Sequence, residues 1–511
     1  MSKKKKIIYD LVHGYIEIDN EVEQVINTAS FQRLKYISQL TAHHLFPSAN
    51  HTRFEHSLGV MKIANDAFCQ IQNELEQHIN EHKSEHENFL EHVTDSTKKH
   101  LDYLRLHLQF AALLHDVGHA PLSHVGETFF DKDEIKRKIR PIISPVIIDD
   151  NDRNSPIKNG SSHELMSCYV IAKNYKKILD AIFDKHNLRM DLEFIIRIIT
   201  GSQYVINRKE EYWDRNIIIQ LVNGRLFDVD KMDYLMRDNY MTGNVGVHID
   251  DQRLLTSLTI AEKKYVSFKI GALSSLKKLV DCRDSIYMWV CNHHIVVYTD
   301  YLYTQCLSHL FSIYQDRDLF TTKEYPEAVN KTDIFSCDAI AEKKVTDNDV
   351  YYHLQNAIRL CNQSNNKVHV DTQTLFKQLS GRSFLKPSWK TLFDYTQFIE
   401  KFNKRTQQEI VPFIKDDKLR KDLHERIEND LLIPKGEFAI VQRANRFYNN
   451  KIKELYIYKN ENGTLAPHKL SDMLPIRDYD PLYDDVAFYV FSKENMKEKI
   501  MERLIHYLGK L

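Results

Sequence analysis

The stretch Leu113-Leu-His115-Asp116-Val-Gly118-His119-Ala-Pro121-Leu-Ser-His124 decides how the rest of this chain is read. It closes a run in which Leu101, Leu104, Leu108 and Ala111 recur at helical spacing. Gly118 and Pro121 are stop signals, so that helix ends just past the His-Asp pair. The stop has a chemical consequence. Neighbours on a regular helix point about 100° apart, so an adjacent imidazole and carboxylate cannot easily face one ion from mid-helix. At an end broken by glycine the backbone can turn both inward. His119 and His124 then fall on the exit loop and the start of the next helix.

Working outward, His51-Thr-Arg53-Phe-Glu-His56 lies upstream and Asp228-Val-Asp230-Lys-Met-Asp-Tyr234 downstream. Together they offer His56, His115, Asp116 and Asp230, a nitrogen and oxygen set suited to a borderline divalent metal. An isolated His-Asp pair would say little; the ordered set says much more. If the segment after Asp228 is helical, Asp230, Tyr234 and Asp238 share one face, because they stand four residues apart. A metal carboxylate, an aromatic hydroxyl and a second carboxylate would then line one wall of a pocket. The series His78, His82, His86 has metal-like spacing too, but glutamates crowd it and it reads as a solvated face.

Composition sets the frame. The 511 residues are 42% hydrophobic and 11% aromatic, enough for a substantial core. Lys+Arg 70 against Asp+Glu 71 leaves a net charge of −1, so no global basic excess argues for nucleic acid. The seven cysteines are scattered singly, which fits reduced thiols rather than a disulfide framework. No signal-peptide pattern or bilayer-length apolar stretch is seen, and the expectation is a soluble, cytoplasmic protein with no membrane partner.

Only 14 Gly and 12 Pro favour a mainly α fold. Over residues 21–40, Val22, Val25, Ile26, Ala29, Leu34 and Ile37 keep helical spacing, as do Leu58, Met61, Phe68 and Ile71 after Phe54. Two polar stretches, 74–100 and 131–162, read as surface insertions. After Pro434 come β-like runs, Phe438-Ala-Ile-Val, Leu455-Tyr-Ile-Tyr and Val486-Ala-Phe-Tyr-Val-Phe, then a helix from about Glu494. The expected organisation is a helical core over 1–310, a helical extension over 311–433 and a small C-terminal α+β lobe over 434–511.

Several segments carry a resemblance: His13-Gly14-Tyr-Ile-Glu, Phe31-Gln-Arg-Leu-Lys-Tyr-Ile-Ser-Gln-Leu40, Phe46-Pro47, Arg53-Phe-Glu-His-Ser-Leu-Gly59, the His115-Asp116 segment and Asp228–Tyr234. They resemble the HD-domain deoxynucleoside triphosphate triphosphohydrolases, the dGTPase-like family that includes a member with an added SAM domain. The match is dense over 7–250 and traceable over 283–293, and the tail resembles the family's C-terminal lobe. It implies an HD-domain helical core that hydrolyses a dNTP, dGTP foremost, to deoxynucleoside and inorganic triphosphate, with water attacking the α-phosphorus.

The resemblance also distributes roles. His56, His115, Asp116 and Asp230 would hold the metal: Mn, Fe, Zn, Co or Ni, with Mg accompanying the nucleotide. Arg53, Lys231 and Arg283 would neutralise the triphosphate. The leaving 5′-alkoxide is poor and needs a proton donor; His124 is the first choice, with His119, His163 and Glu127 in support. Gln39 and Asp238 would bond the sugar 3′-hydroxyl, while Leu40 and Tyr234 would crowd the 2′ position. The family implies a homo-oligomer, a tetramer or hexamer, with effector nucleotides at subunit contacts, and a role in dNTP depletion or phage defence.

Some positions depart from the family pattern. Glu127 stands where Asp is usual, moving the carboxylate by roughly 1.5 Å. Cys291 replaces a Tyr near the sugar, and His294 a Lys. At the guanine-reading regulatory site Asn27 and Lys35 replace Asp and Arg, whereas Gln32 and Lys6 remain. Two competing readings stand beside the dNTPase: another HD phosphohydrolase, such as a nuclease or phosphodiesterase, and a catalytically weak nucleotide sensor.

Overall fold

Two long helices, Arg53–Glu85 and Thr97–Leu114, pack against each other and turn the expected apolar stripes inward. Leu58, Met61, Phe68 and Ile71 of the first meet a core containing Leu101, Leu104, Leu108 and Ala111 of the second, all buried. Each Leu or Phe so buried contributes about 1.5–3 kcal/mol before entropy is charged against it. The structure, a computed structural model, describes residues 5–85, 97–143, 155–205, 212–224, 227–244, 246, 248–262, 264–314, 329–362, 367–443, 456–461, 464–473 and 486–511. The fold is mainly α, an HD-domain helical core with a small α+β lobe. No helix among the described residues is long and apolar enough to cross a membrane.

The helical spacing over 21–40 gives a buried face at Val22, Val25, Ile26, Leu34 and Ile37, but Ala29 is exposed and the segment is not one helix. Asn20–Ile26 is capped by Asp19, whose Oδ1 accepts from Glu21 N and Val22 N at 2.9 and 2.8 Å. Thr28 then caps a second short helix, Ala29–Gln32, its hydroxyl accepting from Phe31 N. A 3₁₀ turn follows at Arg33–Tyr36. A side chain that satisfies orphan N–H groups starts a helix wherever it stands, and Asp19 and Thr28 do so twice within one periodic run. The break is useful: the chain leaves extended, and Gln39 N–H reaches the His51 carbonyl at 3.0 Å.

The polar stretch that begins at Glu74 is helical as far as Glu85, and the second contains the helices Lys132–Ile143 and Pro156–Asn159. His78 pairs with Glu81 at 3.3 Å and packs on Trp213. The side chains of His82 and His86 lie outside the described residues.

Two hairpins were not read from the sequence. Lys6–Asp10 pairs antiparallel with Gly14–Ile18, and Leu258–Ala261 with Tyr265–Phe268. In the first, Asp10 Oδ1 accepts from Val12 N and His13 N, and Gly14 takes φ +66°, the left-handed conformation that favours glycine. Strands this short give too little alternation to outvote a helical composition.

In the C-terminal lobe Phe488–Ser492 is the central strand, flanked by Lys386–Pro387 and Phe438–Gln442. Tyr456–Glu461 and Thr464–Lys469 form a separate hairpin. The last helix, Lys497–Leu508, packs on the helix Asp417–Leu431. Trp389 donates its indole N–H to the Phe488 carbonyl at 2.8 Å and so ties this lobe to the preceding segment.

Candidate metal centre and cleft

The helix Thr97–Leu114 ends one residue before the His-Asp pair, and the turn that follows points both side chains the same way. His56, from the first turns of Arg53–Glu85, and Asp230, from the start of Val229–Met241, meet them. His56 Nε2 lies 3.0 Å from Asp230 Oδ1 and 3.7 Å from Asp116 Oδ2. His115 Nε2 lies 3.6 Å from Asp116 Oδ1 and 3.7 Å from Asp230 Oδ1. Four side chains distant in sequence therefore converge. Ligand atoms of His56, His115 and Asp116 all fall within 4.8 Å of one another.

The far side of each ring is tied down. His56 Nδ1 donates to Asp233 Oδ2 at 2.7 Å, and His115 Nδ1 to the Ala112 carbonyl at 2.8 Å. This fixes the tautomer and presents both Nε2 atoms to the centre, as metal-binding histidines require. Asp233 is itself held by Arg237 at 2.9 Å and by His13 Nε2 at 2.5 Å. Arg237 reaches Asp10 at 2.8 Å, so the unforeseen hairpin buttresses the centre.

The electrostatics ask for a cation. Burial pushes the His56 imidazole down, but hydrogen bonds to Asp230 and Asp233 overcome it and hold the ring up at about 10. His115 is raised too: burial opposes protonation, and Asp116 and Asp230 outweigh it. Burial works against the charges of Asp116 and Asp230, yet Arg53 for the first and the imidazoles for both hold them well below the usual carboxylate range. Among the described residues His115 Nε2 is buried without a hydrogen-bond partner. An orphaned imidazole nitrogen facing two carboxylates fits a divalent ion of the N/O-binding kind.

Arg53 donates to Asp116 from Nη1 and to Ser123 Oγ from Nε, the latter at 2.9 Å. Leu122 and Ser123 adopt positive φ, 59° and 49°, a costly backbone for residues with side chains. Asp347 holds that turn: Oδ1 accepts from Leu122 N at 2.7 Å and Oδ2 from Ser38 N at 2.9 Å.

A second cluster adjoins the first. Glu127 Oε1 lies 2.9 Å from His119 Nε2, 3.0 Å from His163 Nδ1 and 3.2 Å from His124 Nδ1. His119 is fully buried, whereas the His124 side chain is 50% exposed. Burial, then Arg53, drives His119 down to about 3. In His163 burial is outweighed by Glu127, and the ring rises to about 9. Burial lowers His124 as well, with the Glu127 contact opposing it. Gly118 brings the helix Ser162–Val170 close: a Cβ there would sit 2.2 Å from Ser167 N, and Gly118 N donates to Ser167 Oγ at 2.9 Å.

Both clusters open into one cleft of about 1150 Å³. Gln39, Leu40, Arg53, Lys231, Tyr234, Asp238 and Arg283 all line it, so the structure brings together every sugar and phosphate candidate. Tyr234 and Asp238 share a wall with Asp230, as their helical spacing predicts. Asp238 Oδ1 lies 2.7 Å from His51 Nε2, and Gln39 Oε1 is buried without a hydrogen-bond partner among the described residues. The Lys231 ammonium bonds Asp228 and the Gly224 carbonyl, and the Arg283 guanidinium stacks on Tyr287 at 4.7 Å. Sequence reasoning missed Asp233, Asp347 and Ser123. Asp233 had a signal, standing one helical turn after Asp230; Asp347, more than 200 residues past Ser123, had none.

The fold and the His-His-Asp-Asp cluster define an HD-domain protein. No family model matches the chain. It is 30% identical over 301 residues to the deoxynucleoside triphosphate triphosphohydrolase SAMHD1 homolog of Dictyostelium discoideum, covering 57% of this chain and 47% of that protein. An HD domain-containing protein of Acanthamoeba polyphaga mimivirus is 25% identical over 486 residues, 93% of this chain and 85% of the relative. A solved phosphohydrolase structure from Bacteroides thetaiotaomicron shares the fold with TM-score 0.58 at 20% identity, covering 96% of this chain and 100% of that one. The chain spans about half the length of the curated SAMHD1 relatives it matches, 47% and 42% for two of them. These likenesses support an HD-domain, dNTPase-like family for the chain.

Proposed function

We propose that this protein is a metal-dependent phosphohydrolase that converts a dNTP, dGTP foremost, to deoxynucleoside and inorganic triphosphate. One observation carries the reading: His115, Asp116 and Asp230, which converge with His56, line the same cleft as the sugar and phosphate candidates. His56, His115, Asp116 and Asp230 would hold the ion, Mn, Fe, Zn, Co or Ni, with Mg accompanying the nucleotide. A divalent ion there neutralises phosphoryl charge and makes water more acidic.

The remaining roles belong to the chain. Arg53, Lys231 and Arg283 offset the triphosphate charge as the P–O5′ bond breaks. The leaving 5′-oxygen needs a proton; His124, half exposed to the cleft and braced on Glu127, delivers it. His163 and His119, both against Glu127, keep that carboxylate in place. Gln39 and Asp238 bind the 3′-hydroxyl, and Leu40 with Tyr234 narrows the space at the 2′ carbon.

The relatives named SAMHD1 are deoxynucleoside triphosphate triphosphohydrolases by name, which supports the substrate class. A cytoplasmic homo-oligomer, tetramer or hexamer, with nucleotide effectors at subunit contacts belongs to the same proposal. Lys6 and Asn27, at the regulatory positions, both reach Glu23, and Lys35 lies 4.6 Å over the Phe54 ring. Depletion of dNTPs would restrict DNA synthesis, as nucleotide homeostasis or phage defence requires.

The test is incubation of metal-replete protein with each dNTP and NTP, alone and in mixtures, with products resolved by mass. Deoxynucleoside plus inorganic triphosphate is the expected outcome. Pyrophosphate, orthophosphate or shortened strands would make it a nuclease or phosphodiesterase. Tight binding without turnover would make it a sensor.

A further inference from the structure

Beyond the sugar, the cleft runs along the helix His294–Tyr314, where one acid stands apart from every cation so far described. Asp300 lines the cleft, and its one side-chain hydrogen bond among the described residues comes from Thr41. An acid removed from water without a counter-ion is costly unless donors meet it. Burial accordingly pushes its pKa up to about 7, with the Thr41 bond opposing.

Its place along the cleft is set by the chain. Gln39 is fixed by its backbone bond to His51, whose ring lies on Asp238. Thr41 follows two residues later, at most about 7 Å of chain. The path from the metal centre through Gln39 and Asp238 to Thr41 and Asp300 thus moves from phosphate to sugar and then one step beyond. Asn292 also lines the cleft, and its Nδ2 is buried without a hydrogen-bond partner among the described residues, the residue being 4% exposed.

We propose that Asp300 reads the nucleobase and selects guanine. A carboxylate accepts from two adjacent donors, and the guanine edge offers N1–H and N2–H side by side. The carbonyl O6 beside them takes the orphaned Asn292 donor. Adenine and cytosine present one donor next to one acceptor, and leave a carboxylate oxygen facing a lone pair. Thymine presents a single donor between two acceptors. This rests on the dNTPase reading and supplies its base preference.

The experiment is a competition among dATP, dGTP, dCTP and dTTP with the full, metal-loaded chain. The expected result is a preference for dGTP that falls roughly tenfold or more in relative kcat/KM in Asp300→Asn, whose amide matches adenine and cytosine instead. Thr41→Val, which frees the carboxylate from its anchor, should show a smaller loss of the same sign and serves if Asp300→Asn does not fold. A purely structural Asp300 would lower all four rates together and leave their ratios unchanged; that outcome overturns the assignment while leaving the dNTPase reading intact. A wild-type enzyme that shows no preference for dGTP overturns it too. Folded, metal-loaded protein that cleaves no dNTP sinks both.

Discussion

The two histidine clusters of the cleft are built on opposite principles. At His56, His115, Asp116 and Asp230 each ring has its rear nitrogen fixed, by Asp233 or the Ala112 carbonyl, and its front nitrogen turned to a shared point. At His119, His124 and His163 the rings crowd one carboxylate oxygen of Glu127, at 2.9, 3.2 and 3.0 Å. On the proposed reading, the first arrangement would take positive charge from a bound ion, and the second would store and hand on a proton. A rigid rear anchor suits metal ligation, whereas a shared carboxylate lets a proton settle on whichever ring the substrate leaves freest.

This contrast can be broken most directly by removing one member of each cluster. Asp230→Ala should abolish bound metal, read by elemental analysis, and lower turnover by roughly a thousandfold or more. His124→Ala should cost about 10²–10⁴ in kcat with metal content unchanged. If His124→Ala emptied the metal centre as well, the two clusters would be one. Asp233→Asn probes the rear anchor: metal affinity should weaken about 10–100-fold, measured by chelator competition, with kcat recovering at saturating metal.

The smallest expected effect lies away from both clusters. Burial drives His44 and His294 down to about 4, and neighbouring positive groups add to it. The folded state thus keeps them neutral, while the unfolded chain protonates them near the ordinary value of about 6.5. Between those limits the unfolded state binds more protons, so stability rises with pH and is lost as pH falls through the window. Both rings are partly exposed, which holds each contribution to about 1 kcal/mol. Urea unfolding at the two ends of the window, with and without His44→Gln and His294→Gln, should show the variants flattening the slope.

How much of this was legible beforehand follows from range. The convergence of His56, His115, Asp116 and Asp230 was readable because each carries its chemistry in its side chain and its neighbours repeat a recognisable order. Asp230, Tyr234 and Asp238 were readable because helical periodicity places them on one wall. The break of 21–40 at Thr28 was not, since capping outcompeted a spacing that fits one helix equally well. The hairpin at Lys6–Asp10 escaped because five residues of alternation weigh little. Asp347 escaped altogether: its contacts with Leu122 and Ser38 exist only once the chain has folded across hundreds of residues.

Gly118 shows what such closeness demands. It touches no ligand, yet its missing side chain is the space in which two segments of backbone lie against each other. Filling that space with one methyl group would wedge the helix bearing His163 outward and, on the proposed reading, spoil the handling of protons while sparing the side chains assigned to it. A lesion there would look, in an assay, like the loss of a catalytic group.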